Sequence, residues 1–229
     1  MMKTRSRRYN SSAESIDNAK AYELQEAIEG LSKQSKVKFD ESIELSFSLG
    51  VDPKQTSQSV RGTVNLPHGS GKDVKVLVFT ENPDEATSLG ADHAGLDDLI
   101  KKIKDGWVDF DVALSTTSAM KSVRSIARVL GPRGLMPTPK AGTVTDNLEE
   151  AIKDVKAGRV EFKMDKTGAM AVLIGKRSFS TEQLVENANS AIQAVTSSRP
   201  EGFKGRFVKS AHVSSTMNPS LKLNSAIFN

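Results

Sequence analysis

Apolar positions recur along this chain in two rhythms, and the change of rhythm marks its elements. Leu24, Ala27, Ile28 and Leu31 return at helical spacing. After Lys38-Phe39-Asp40 the period drops to two. Ile43, Leu45, Phe47 and Leu49 alternate with Ser42, Glu44, Ser46 and Ser48, which predicts a half-buried strand. A second extended stretch, Val60 to Leu66, leads into Pro67-His68-Gly69-Ser70-Gly71, expected to be a flexible exit.

A different pattern starts there. Val74 to Phe79 is continuously apolar apart from Lys75, as in a strand covered on both faces. Helical patterns at 83–89 and 96–104, a strand at 110–114, and helices at 120–130 and 148–156 follow in turn. Alternating strands and helices imply a small parallel α/β layer. Between the last two helices, Leu130 to Val144 holds Pro132, Pro137 and Pro139 with Gly131, Gly134 and Gly142. Prolines remove backbone donors and glycines admit turns closed to other residues, so this run is either an ordered surface loop or a linker.

The first rhythm then resumes. Val160, Phe162 and Met164 alternate with charged residues, Asp165-Lys166-Thr167-Gly168 supplies a turn, and Met170, Val172 and Ile174 run back. This predicts a β-hairpin. Ser180 and Gln183 fit a capping box opening a helix whose stripe is Leu184, Val185, Ala188, Ala191, Ile192 and Val195. A last strand is expected at about 206–215.

The expected fold class is therefore mixed. A discontinuous α+β domain (residues 1–67 and 159–229) carries an inserted Rossmann-like α/β domain (68–158). Pro67, Gly69, Gly71 and Gly158 lie at the two crossings, where a hinge is expected, the alternative being a rigid two-lobed protein.

Charge follows the same partition. Residues 68–158 hold 12 Lys and Arg against 14 Asp and Glu, a net of −2, which leaves +6 for the flanking parts of a chain whose net charge is +4. Such asymmetry suits one body meeting a polyanion. The chain of 229 residues has no cysteine, hence no disulfide, thiolate metal site or thiol nucleophile. No apolar run approaches the ~18 residues of a spanning helix, so no membrane partner is expected. Met1 to Ser12 has four basic residues, no acidic one and no apolar core. It reads as the start of a cytoplasmic protein or as a short organellar transit segment.

Enzyme chemistry finds no footing. Gly69-Ser-Gly-Lys72 precedes its strand, whereas a phosphate-cradling loop follows one. Gly134 to Ala141 is nearer to a Walker A loop, but Pro139 replaces a glycine N–H and Ala141 lacks the magnesium-binding hydroxyl. His68, His93 and His212 have no metal-ligand spacing, and Asp97, Asp98, Asp109 and Asp111 read as solvated carboxylates. No catalytic residue, metal or cofactor is expected. An open antiparallel face with basic and hydroxyl residues is better suited to RNA. With only 5% aromatic residues, recognition by shape is expected over base stacking.

Several blocks resemble, in order, the bacterial-type large-subunit ribosomal protein L-one family. They are Lys38-Phe-Asp-Glu41, Val60-Arg-Gly-Thr-Val64 with Leu66-Pro-His-Gly69, Gly106-Trp107 with Asp109-Phe-Asp111, the Leu130–Val144 loop, Ala157-Gly-Arg159 with Glu161-Phe162, Asp165-Lys-Thr-Gly168, and Thr216-Met217. The resemblance spans nearly the whole chain. It implies the interrupted two-domain layout, a monomer when free, and a place in the large ribosomal subunit. There the discontinuous domain binds the stalk of large-subunit rRNA, and the stalk helps deacylated tRNA leave the exit site. Bacterial members also bind their own mRNA and repress its translation. An RNA-binding regulator outside the ribosome would use the same surface.

Carried over residue by residue, the family's RNA contacts fall on Lys36, Lys38, Phe39, Asp165 to Gly168, Ser210, Ser214, Thr216 and Met217. Lys36, Lys38, Lys163 and Lys166 would neutralise phosphates. Ser210, Ser214 and Thr216 would bond 2′-hydroxyls, while Asp165, Thr167 and Gly168 form the turn's tip. Phe39 and Met217 would pack on sugar or base, the alternative being that they fill the core. Asn218 stands where the family commonly has glycine. It either substitutes at a left-handed position or adds bulk at a close backbone approach to RNA.

Overall fold

The computed structural model describes residues 5–228 other than Asn18, Thr56 and Ser57. Of the basic N-terminal run, Met1 to Thr4 therefore lie outside the described residues. The chain forms helices α1 (Arg7–Glu14) and α2 (Leu24–Lys33), then strands β1 (Ser42–Leu49) and β2 (Arg61–Asn65). Next come β3 (Val76–Phe79), α3 (Pro83–Ser88), β4 (His93–Gly95), α4 (Asp97–Lys104), β5 (Val112–Ser115), α5 (Met120–Val123), α6 (Ala127–Leu130) and α7 (Leu148–Ala157). They are followed by β6 (Arg159–Lys163), β7 (Ala169–Lys176), α8 (Thr181–Ser197), β8 (Val208–Ser215) and β9 (Leu221–Lys222). Two compact units result, Met1–Gly71 with Val160–Asn229, and Lys72–Arg159.

In the discontinuous unit β1 is an inner strand of an antiparallel sheet ordered β7-β1-β8-β9. Its alternating pattern decides which face is covered. Ile43, Leu45, Phe47 and Leu49 share one core with Met170, Val172 and Ile174 of β7 and Ala211 and Val213 of β8. The apolar stripes of α2 and α8 complete that core. α8 starts where predicted, with the capping box between Ser180 and Gln183 formed in both directions. Ser42, Glu44, Ser46 and Ser48 of β1 and Ser210, His212 and Ser214 of β8 alternate with the buried positions and keep partial or full exposure.

The predicted hairpin does not form as a ladder. The Asp165–Gly168 turn is present, closed by Asp165 N–H donating to Ala169 C=O at 2.8 Å. Its two arms diverge: β6 pairs with β2 in a separate two-stranded sheet, while β7 pairs with β1. Phe162 explains the choice. Its buried ring lies over Gly62 of β2, where an added Cβ would come within 2.8 Å of Phe162 Cζ. The ring settles only on a strand that has no side chain at that point.

In the inserted unit β4-β3-β5 run parallel. Leu77 and Phe79 face α4, α5 and α6, while Val76 and Val78 face α3 and α7, so β3 is buried on both sides as its unbroken apolar run requires. The helix expected at 120–130 is interrupted by a 3₁₀ turn, Arg124–Ile126. Apolar residues at 120, 123 and 126 recur every three positions, the period of a 3₁₀ helix. The Leu130–Val144 run is an ordered loop, not a linker. Thr138 N–H donates to the Thr143 hydroxyl at 2.8 Å, and Val144 bridges to Ser115. It also holds one 3₁₀ turn, Pro139–Ala141, which proline admits at its first position and left-handed Gly142 ends.

Candidate nucleic-acid interface

Phe39 and Met217 are the two large apolar side chains exposed among the described residues, at 55% and 50%. Neither fills the core. They project from separate segments, yet one buried carboxylate organises both. Glu41, two residues after Phe39, is 0% exposed, and its Oε1 accepts the Met217 N–H at 3.1 Å. The same oxygen accepts from the Ser215 hydroxyl at 3.3 Å and from Asn218 Nδ2 at 3.2 Å.

Burying that charge requires a cation. Arg177 supplies it, pairing with Glu41 Oε2 and donating to the carbonyls of Leu31, Ser32, Gln34 and Ser35 at the end of α2 and just beyond. The approach to Phe39 is thus fixed from behind. Asp40 is fixed too, by the Ser178 N–H at 3.1 Å and the Ser178 hydroxyl at 2.7 Å. Lys36 and Lys38 remain exposed beside Phe39. A cationic, partly apolar surface on a rigid base can meet phosphates with its ammonium groups and sugar or base with its apolar ones.

Asn218 is not a left-handed substitute for glycine, since no described non-glycine residue has positive φ. Nor does its side chain point outward: it is 8% exposed. Its Nδ2 donates to Glu41, to the Ser35 carbonyl at 3.3 Å and to the Ser215 hydroxyl at 2.9 Å, while its Oδ1 accepts from Arg8 at 2.6 Å. Asn218 therefore belongs to the support beneath Met217. Thr216 is exposed, but its hydroxyl is already engaged with the Ser42 backbone, accepting from its N–H at 3.0 Å and donating to its carbonyl at 3.2 Å.

The tip at 165–168 lies elsewhere. Ser42 pairs with Lys176 and Ser48 with Ala169, so the tip and the Phe39–Met217 cluster sit at opposite ends of β1. Seven steps of ~3.4 Å put them roughly 24 Å apart. Ser210 opposite Ser48 and Ser214 opposite Glu44 lie between, on the uncovered face. At the tip, Asp165 Oδ1 accepts from Thr167 N–H at 2.7 Å, Thr167 hydroxyl at 2.6 Å and Ala169 N–H at 2.9 Å. The Thr167 hydroxyl, followed by these backbone donors, holds the Asp165 carboxyl below its ordinary range. Gly168 has φ +80° and lends its carbonyl to Leu49 N–H at 2.8 Å. Asp165, Thr167 and Gly168 thus build the turn, while Lys163 and Lys166 remain exposed. His212, midway along the uncovered face, is pushed below the ordinary histidine pKa by partial burial and then by the charge of Lys222.

The residues expected at the hinge have distinct settings. Leu66 C=O accepts from Gly69 N–H at 3.0 Å, and buried Asn187 of α8 holds both His68 N–H (3.0 Å) and Gly69 C=O (3.1 Å). Residues 68–71, expected with the insert, consequently lie in the discontinuous unit. Pro67 and Gly69 are anchored rather than a flexible exit. Gly69 and Gly71 have φ +70° and +69°, and Gly158, at +109°, is the left-handed cap of α7.

Sequence reasoning missed Arg177 and Arg8 altogether and read Glu41 only as part of a block. The signal in reach was parity: Glu41 continues the every-second-residue series of Ile43, Leu45, Phe47 and Leu49 and so falls on the buried face, where a carboxylate needs a cation; nothing local marks either arginine.

Residues 31–219 match the Ribosomal protein L1p/L10e family. A large ribosomal subunit protein uL1 of Kosmotoga olearia is 51% identical over 225 residues, covering 97% of this chain and 97% of its own. That of Persephonella marina is 50% identical over 229 residues, covering 97% and 95%. That of Flavobacterium johnsoniae is 48% identical over 215 residues, covering 93% of each.

Proposed function

The chain belongs to the ribosomal protein L1p/L10e family, whose relatives here are structural proteins of the large ribosomal subunit and not enzymes, and from that premise we propose that its discontinuous unit grips the stalk of large-subunit rRNA. The observation that carries this reading is the pair of exposed apolar side chains, Phe39 and Met217, braced by one buried carboxylate and flanked by Lys36 and Lys38. Exposed apolar groups on a polar rim mark interaction sites, and a braced pair loses little freedom on binding. Ser210 and Ser214 extend the surface along the uncovered face toward the turn at which the cations Lys163 and Lys166 stand. On the same reading the bound stalk assists deacylated tRNA in leaving the exit site, and an mRNA element shaped like the stalk is bound in its place, repressing translation. The glycine-bearing crossings, one just beyond the anchored Gly69 and one at Gly158, serve as a hinge between the RNA-binding unit (residues 1–71 and 160–229) and the insert.

The test is affinity for a stalk rRNA fragment at fixed salt. Phe39→Ala and Met217→Ala are expected to weaken binding at least about tenfold while leaving the unfolding midpoint unchanged. Wild-type affinity in both variants overturns the assignment. Co-sedimentation with large subunits separates the ribosomal role from a regulator acting elsewhere. Helices among the described residues include none long and apolar enough to cross a membrane.

A further inference from the structure

Of the basic N-terminal run only Arg8 has entered the interface so far, yet α1 as a whole is fastened to its two lips. Arg8 Nη2 donates to the Met217 carbonyl at 2.6 Å and Nη1 to Asn218 Oδ1 at 2.6 Å. On the other lip, Ser12 Oγ accepts from Ser35 N–H at 3.2 Å, next to Lys36. Ser12 is buried, and its hydroxyl also reaches Asn218 Oδ1 at 3.4 Å. One face of a short helix thus joins the Lys36–Phe39 approach to the Met217–Asn218 turn.

The end that leads into this helix is cationic, with Arg5 just before its Ser6 cap and Arg7 as its first residue. Arg5 and Arg7 are exposed, and Arg5 lies over the Tyr9 ring at 4.7 Å, which gives it a set direction. No acidic residue stands in the first turn of α1. The acceptors that Arg8 meets are neutral carbonyl and carboxamide oxygens, so its charge is not cancelled where it is bound. Asn218 supplies one of the two close acceptors of this attachment: a glycine there would leave Arg8 the Met217 carbonyl but no side-chain oxygen.

We infer that α1 is a basic arm of the RNA interface, locked to it by Arg8 and Asn218, with Arg5 and Arg7 binding phosphates of the RNA that flank those met at Phe39 and Met217. This rests on the reading of Phe39 and Met217 given above. Each phosphate neutralised releases counterions and steepens the salt dependence of binding.

The experiment titrates a stalk rRNA fragment with the full chain across a range of salt. Arg5→Gln with Arg7→Gln is expected to weaken binding about tenfold and to lower the slope of log affinity against log salt by about 1.5, roughly 0.7–0.9 per phosphate. Asn218→Gly, or Arg8→Gln where that variant folds poorly, is expected to produce a similar loss. Adding Arg5→Gln and Arg7→Gln to it should then cost little more, because a released arm no longer holds the cations in place. Unchanged affinity and slope in the Arg5/Arg7 variant, with Met217→Ala binding poorly, overturn the arm and leave the interface standing. Unchanged binding in Met217→Ala overturns both.

Discussion

Arg177 and Glu41 form an ion pair in the interior of the discontinuous unit, with side chains 9% and 0% exposed. The pair is extensively bonded: Arg177 through its Nη atoms to four carbonyls at the end of α2 and just beyond, Glu41 to Ser215, Met217 and Asn218. Desolvating two charges costs several kcal/mol each, and bonding of this extent offsets it even though Arg177 Nε has no partner. Its physical effect is to tie the segment that carries Phe39 to the turn that carries Met217.

Removing one partner leaves the other charge buried and unpaired. Glu41→Ala is therefore expected to destabilise the protein by about 3–5 kcal/mol, read from urea unfolding. Arg177→Met should cost a similar amount. A loss below about 1 kcal/mol in both would mean that the pair is hydrated and does not brace the surface.

Gly62→Ala tests why β6 leaves its expected partner. The added methyl would stand 2.8 Å from Phe162 Cζ. Crowding of a packed site typically costs about 1–3 kcal/mol. Phe162→Leu in the same chain should recover part of that loss, since the smaller side chain vacates the contact. Equal stability of Gly62→Ala and wild type would remove the steric account of the β2–β6 pairing.

What could be read from the sequence was whatever a local pattern controls. The stripe of α8, its Ser180–Gln183 cap and the alternation of β1 depend on neighbours within a few residues, and all three are found. The partner of β6 depends on a glycine 100 positions before Phe162, which no period reveals. The candidate interface divides the same way. Lys36, Lys38, Phe39 and Met217 came from the family resemblance and stand exposed, whereas Asn218 and Thr216 turn out to be engaged within the fold. Glu41 and Arg177 lie 136 positions apart, so their pairing exists only once β1 and β7 lie side by side.

Acid should open the 165–168 turn before it unfolds the sheet. The Asp165 carboxyl is held below its ordinary 3.8 by the Thr167 hydroxyl and backbone donors. A lowered folded-state pKa means that the contribution is complete above 3.8 and is lost as the pH falls through the lower folded value. The Thr167 and Ala169 amide resonances are expected to titrate together with a midpoint below 3.8, and Asp165→Asn should abolish that titration. A midpoint at or above 3.8 would show that these donors do not favour the charged carboxyl.

Asn187 sets where the first crossing becomes free. It is 0% exposed, and its carboxamide accepts His68 N–H at 3.0 Å while donating to Gly69 C=O at 3.1 Å and Ile174 C=O at 2.8 Å. One side chain of α8 thereby ties the exit segment to β7. Asn187→Ala strands the buried Ile174 carbonyl and releases two groups that water reaches more readily. At about 1–3 kcal/mol for a buried group left unpaired, the expected total is about 2–3 kcal/mol. The amide of His68 should then exchange with solvent many times faster, while amides within β3 of the insert keep their protection. Unchanged exchange at His68 would show that the segment is held by Pro67 and the Leu66–Gly69 turn alone, and would move the hinge no further along the chain than the proline itself.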